Sequence, residues 1–108
     1  MKLSMCSDSG HGNMGGKGLG HIARFPDRLY SVHLHDNNGY EDQHRPVFSG
    51  TVDWTRLSAV ISASTYAGPL TFEVVTRNSG IVDEVIFLRQ VYCDSKKLSG
   101  MMRKKASN

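Results

Sequence analysis

The stretch His33–His44, HLHDNNGYEDQH, gathers three histidines and three carboxylates into twelve residues. Imidazole nitrogen mixed with carboxylate oxygen suits Zn²⁺, Mn²⁺, Co²⁺ or Fe²⁺ better than Ca²⁺, which prefers an all-oxygen shell. The same residue types recur twice more, as Asp8 and His11 in DSGH and as Glu73 in LTFEVV. Asp8 and His11, three apart across a strand-to-loop turn, can approach a common centre, and so can Asp42 and His44 on one side of an extended segment. Glu73 stands between Phe72 and Val74. A carboxylate in such an apolar strand is costly to bury unless a cation, a hydrogen-bond network or an arginine stabilises it. A single loop histidine is usually just solvated, so the argument rests on the joint pattern. Cys6 and Cys93 fit neither a disulfide framework nor a CxxC knuckle, and no cysteine-rich zinc site is expected.

Something must bring these groups together. MKLSMCSD reads as a short strand ending at the carboxylate of Asp8. SGHGNMGGKGLGH then holds six of the eleven glycines. Its spacing is not that of a Walker A loop, because a GxxxxGK[ST] frame meets His11 and Gly18 at required positions. It is expected to be a long mobile loop. RLYSVHLHD alternates, with Leu29, Ser31, His33 and His35 in one direction and Tyr30, Val32, Leu34 and Asp36 in the other, which predicts a second strand. After a loop over Asn37–Asp53, WTRLSAVISASTY places Leu57, Val60, Ile61 and Ser64 on one helical stripe, stopped by Gly68 and Pro69. LTFEVV predicts a third strand. NSGIVDEVIFLRQVYCDSKKL predicts a last helix with Ile81, Val85, Leu88 and Val91 or Tyr92 in register. Strands alternating with helices predict an α/β fold of right-handed βαβ units, whose parallel sheet gathers ligands at the C-terminal strand ends.

Length and composition bound this reading. The chain has 108 residues, enough for one domain but short of the roughly 250 of a closed eight-fold α/β barrel. Its 39% hydrophobic and 21% charged residues are ordinary for a globular protein. Much of the net charge of +3 comes from KKLSGMMRKK, so residues 96–108 are expected to form a frayed basic tail, and no nucleic-acid partner is expected. Apolar runs such as EVIFLRQVY are broken by charge well short of the ~20 residues of a bilayer span, and the N-terminus lacks a signal peptide's apolar core. No membrane association and a cytoplasmic location are expected.

DSGHGN, VHLHDN, EDQH, PVFSGTVDW and GPLTFEV, in this order and spacing, resemble the C-terminal portion of the xylose-isomerase-like barrel superfamily. That superfamily includes sugar phosphate isomerases and epimerases and the related endonuclease IV group. The resemblance covers roughly residues 1–92. It implies a partial (β/α)8 TIM barrel, about the last three β/α units with parallel strands, over residues 1–95. By motif it implies metal ligation by Asp8, His33 and Glu73, with His11 either contacting substrate or taking a second metal. Asp42 and His44 resemble a D-x-H pair that completes an additional metal site in endonuclease-like members. Glu73 resembles a last-strand glutamate that also moves a proton, which with His11 makes the expected catalytic pair. His35, Arg77 and Trp54 are the expected substrate contacts. The implied cofactor is a divalent metal such as Mn, Zn, Co or Mg. The implied activity is isomerisation or epimerisation of a sugar or sugar phosphate through an enediolate. Two alternatives stay open: a metal-dependent phosphodiesterase acting on abasic DNA, and an inactive fragment that needs a complementing chain or a homo-oligomer, since an opposing carboxylate and a further ligand come from earlier strands.

Overall fold

Asp8 ends one element and begins the next. In the computed structural model, which describes residues 5–16 and 18–106, it closes strand β1 (Met5–Asp8) in an extended conformation, and its carboxylate accepts the His11 N–H at 2.9 Å. This N-cap starts helix α1 (Ser9–Gly15), which Gly16 terminates at φ 71° with its N–H on the Gly12 carbonyl. Helix α2 (Gly18–Arg24) follows at once. The glycine-rich segment is therefore two short helices and not the expected mobile loop. The reason lies in packing: a Cβ on Gly18 would stand 2.6 Å from the Gly12 Cα, so the glycines let two backbones touch.

Strand β2 (Leu29–Leu34) pairs parallel to β1, and the short β3 (Thr71–Phe72) pairs parallel to β2, giving the order β1-β2-β3. The simple alternation expected for β2 breaks at its start. Leu29 faces Met5 and Ser31 faces Cys6, so Tyr30 is an extra, bulged residue, and it is exposed. Leu29 thus enters the core together with Val32 and Leu34, while His33 lies on the opposite face.

Helix α3 (Trp54–Ala63) is capped by the Asp53 carboxylate on the Arg56 N–H and buries Trp54, Leu57, Ser58 and Ile61. Of its expected stripe, Ser64 is the C-cap. After β3 and a 3₁₀ turn (Thr76–Asn78), helix α4 (Glu84–Ala106) begins where Asp83 accepts the Val85 and Ile86 N–H groups. Two expectations fail here. Of the expected register, Val85, Leu88 and Tyr92 are exposed, whereas Ile81 and Val91 are half-buried, Val91 on the same side of the helix as the inward-facing Phe87, Asp94 and Leu98. The expected frayed tail is helical to Ala106, and Leu98 within it is fully buried. The core joins Ile22, Leu29, Val32, Leu34, Val47, Trp54, Leu57, Ile61 and Leu98 between the sheet and the helices.

Candidate metal centre

The parallel register puts Asp8 opposite His33 and His33 opposite Thr71, two residues before Glu73. The Glu73 N–H still bonds the Leu34 carbonyl at 2.9 Å, which holds this residue at the sheet's edge although β3 has ended. One ligand atom each from Asp8, His33 and Glu73 then lie within 4.8 Å of one another, all half-buried. His33 Nδ1 is 3.2 Å from Glu73 Oε1, and because the carboxylate oxygen can only accept, this nitrogen is the donor when the two bond.

A second group adjoins the first. His35, Asp42 and His44 also offer ligand atoms within 4.8 Å of one another. His44 Nδ1 donates to the Glu73 backbone carbonyl at 2.7 Å, which fixes its tautomer and leaves Nε2 free, 3.3 Å from Asp42 Oδ1. His44 achieves this from φ 49°, a conformation that costs a β-substituted residue on the order of 1 kcal/mol. The flanking loop maintains it, since Asp36 and Arg45 exchange both backbone hydrogen bonds at 2.8 and 2.9 Å.

His11 links the two groups. Its Nδ1 is 3.4 Å from Asp8 Oδ2 and its Nε2 is 2.9 Å from Asp42 Oδ2. The hydrogen bond to Asp42, assisted by the charges of Asp8, Asp42 and Glu73 and opposed by desolvation, raises the His11 pKa above its ordinary value. The same bond holds the Asp42 carboxyl below the usual carboxylate range.

His35 occupies the middle. Its ring stacks on His44 at 3.9 Å with 5° between planes, meets His11 edge-on, and is fully buried. Nε2 approaches Asp8 Oδ1 to 2.6 Å, but out of line for a ring N–H bond, and neither ring nitrogen has a hydrogen-bond partner. An imidazole buried with its polar atoms unpaired is costly, and a divalent cation shared with nitrogen and oxygen donors relieves that cost. The donor set fits such an ion.

The sequence-predicted residues divide accordingly. Asp8, His33 and Glu73 meet, as do Asp42 and His44, with His11 between the sets. His35, expected to contact substrate, is fully buried beneath the site, beside Asp8 and stacked on His44. Trp54, also expected to contact substrate, is buried, and its Nε1 donates to Asp36 Oδ2 at 2.7 Å. Arg77 is exposed on the 3₁₀ turn.

Sequence reasoning missed the residues that hold the loop in place. Asp36 is fully buried, and besides Trp54 it accepts the Asn37 and Val52 N–H groups through Oδ1. Asn37, also fully buried, donates to the Gly10 carbonyl and accepts from Asn13 Nδ2 and the Gly39 N–H. Ser9 Oγ donates to the His35 carbonyl and accepts the His35 N–H. The only sequence signal was the run of polar residues directly after an apolar strand, where buried backbone needs side-chain partners.

Comparison with known proteins agrees with this architecture. Residues 2–91 match the family described as xylose isomerase-like TIM barrel. Uncharacterized protein y4fM of Sinorhizobium fredii is 32% identical over 110 residues, covering 98% of this chain and 35% of the relative. Uncharacterized protein MJ1311 of Methanocaldococcus jannaschii is 30% identical over 90 residues, covering 77% of this chain and 28% of the relative. The chain thus spans about a third of the length of the curated relatives it matches. No solved structure matches it.

Proposed function

The chain belongs to the xylose isomerase-like TIM barrel family, and from that premise we propose that it forms the metal-binding end of a sugar or sugar phosphate isomerase or epimerase. Its sheet then corresponds to the last three β/α units of a (β/α)8 barrel. The observation that carries this reading is the meeting of Asp8, His33 and Glu73 at the ends of three successive parallel strands, Glu73 just past the end of β3. Active-site groups of such barrels collect at this end of the strands.

Asp8, His33 and Glu73 would hold a divalent cation such as Mn, Zn, Co or Mg, which supplies positive charge to neighbouring oxygens of a bound sugar and so acidifies the adjoining C–H. Glu73 would take that proton from one face and return it, with His33 Nδ1 orienting its carboxylate. His11, whose pKa the hydrogen bond to Asp42 raises and whose side chain is 59% exposed, would donate a hydrogen bond to substrate oxygen. A carboxylate acting on the opposite face would come from earlier β/α units of the barrel.

Metal analysis of the purified chain tests this. About one tightly held divalent ion per chain is expected, and most of it should be lost in Glu73→Gln. Negligible metal in both proteins would end the metal-enzyme reading.

A specific observation favours a second reading. His11, Asp42, His44 and His35 form a nitrogen-rich group directly beside the first. Adjacent metal sites suit phosphodiester hydrolysis, in which one ion activates water and another stabilises the leaving oxygen. Two or more ions per chain, with nicking of an abasic duplex and no turnover of ketoses by the completed barrel, would decide for this phosphodiesterase.

A further inference from the structure

The loop between β2 and α3 turns at Asn38–Gly39. Gly39 has φ 87°, in the left-handed region where a side chain is strained, so the turn requires glycine there. Asn38 closes the turn from its own side chain. Its Oδ1 accepts the Tyr40 and Glu41 N–H groups at 2.9 and 3.0 Å, and its N–H donates to Gln43 Oε1 at 2.9 Å. The geometry thus puts asparagine, a thermolabile residue, directly before the one residue whose nitrogen is least hindered by a side chain. Asn38 is also exposed to water. A second set of bonds restrains that nitrogen. The Gly39 N–H donates at 2.9 Å to Oδ1 of Asn37, which is fully buried and tied to α1 through the Gly10 carbonyl and Asn13 Nδ2.

We propose that Asn38 is a latent deamidation site whose reaction is gated by Asn37. The Gly39 nitrogen gives its proton to solvent base and attacks Asn38 Cγ. The N–Cγ bond forms, the Cγ–Nδ2 bond breaks, and Nδ2 leaves as ammonia with a proton from water. Water then opens the succinimide, at Cγ to give aspartate or at the backbone carbonyl carbon to give isoaspartate. In sum, one amide and one water become one carboxylic acid and one ammonia. While a buried acceptor holds the Gly39 N–H, the nitrogen keeps its proton and faces Asn37 instead of the Asn38 amide. Movement of the loop away from α1 releases it. An aspartate at position 38 still accepts both backbone N–H groups. Isoaspartate instead lengthens the backbone by one carbon between the Asn37 anchor and Asp42, and so draws Asp42 from His11, which it meets at 2.9 Å. Asp8, His33 and Glu73 lie outside that loop and stay in place. The gate rests on hydrogen bonds of this loop and α1 and not on the isomerase reading.

Peptide mapping by mass spectrometry tests this on the native chain, the chain unfolded in urea, and Asn37→Ala, all held in the same neutral buffer. In urea, aspartate and isoaspartate should accumulate at position 38 faster than at Asn13, Asn37 or Asn78, which precede residues with side chains. Ammonia should appear in equal amount. The native chain should react at least tenfold more slowly, and Asn37→Ala, folded by circular dichroism, should approach the unfolded rate. If that variant does not fold, hydrogen exchange takes its place, and the native Gly39 amide should be protected at least tenfold relative to the unfolded chain. No excess conversion at position 38 in urea would overturn the site. A native rate equal to the unfolded one, a folded Asn37→Ala that reacts no faster than the native chain, or an unprotected Gly39 amide would overturn the gate. In the isoaspartate fraction, separated by ion exchange, the His11 and His44 NMR signals should shift while those of His33 hold. Unchanged His11 and His44 signals would overturn the effect on the loop.

Discussion

His35 shows how closely single residues are constrained around the centre. A Cβ at Gly10 would collide with its Cε1 and Nδ1, so only glycine at that position of α1 leaves room for the ring. Gly10→Ala should therefore cost about 1–3 kcal/mol by forced overpacking, read as a lower chemical-denaturation midpoint. It should also weaken metal binding, because the displaced ring leans on Asp8 and His44. The exposed His11–Asp42 pair gives a pH signature in metal-free protein. The His11 pKa is raised in the fold, so its contribution to stability is complete below the ordinary 6.5 and fades as pH rises through the raised folded value. The Asp42 pKa is lowered, so its contribution is present above the ordinary 3.8 and fades as pH falls through the lowered folded value. The pair is strongest between these limits. A proton NMR titration should place the His11 midpoint above 6.5, and Asp42→Asn should return it toward that value. An unchanged midpoint in the variant would show that the bond does not form in solution.

At the scale of elements, α4 discriminates between its two apolar faces. Leu98 is fully buried against the core, so Leu98→Ala should destabilise the chain by about 2–5 kcal/mol through lost transfer energy and a cavity. Leu88→Ala, on the exposed side, should fall within about 0.5 kcal/mol in the isolated chain. Thermal melts of the two variants check the assignment, and equal effects would mean that the helix is rotated. The amphipathic period itself was legible in NSGIVDEVIFLRQVYCDSKKL, but the face was not. Two apolar stripes lie on this helix, and periodicity cannot say which one meets the core. The glycine-rich segment was misread for a related reason: glycine signals freedom when read locally, whereas close contact between α1 and α2 uses its missing side chain.

For the whole molecule, no helix among the described residues is long and apolar enough to cross a membrane, and the chain is organised around one parallel sheet. Binding of an ion between Asp8, His33 and Glu73 would tie three strand ends together, and a ligand that binds only the folded state stabilises it. Saturating Zn²⁺ at about one hundred times its dissociation constant should add roughly 2.7 kcal/mol, seen as a rise in Tm that EDTA reverses. Asp8→Asn should remove most of that rise. No metal-dependent change in Tm would count against a shared ion.

The sequence by itself determined the alternation of strands and helices, the parallel sheet, and the identity of the groups at its C-terminal edge. Those follow from periodicity, turn residues and the motifs DSGH, HLHD and EDQH, all of which are local. Tertiary structure alone decided which groups meet. It set His11 between Asp8 and Asp42, buried His35 under the centre, gave the Trp54 indole to Asp36, and turned Val85, Leu88 and Tyr92 of α4 outward. The reason is physical: such contacts join residues 18 to 31 positions apart, and their partners are chosen by strand register and by the need to satisfy every buried polar group, neither of which a short window of sequence contains.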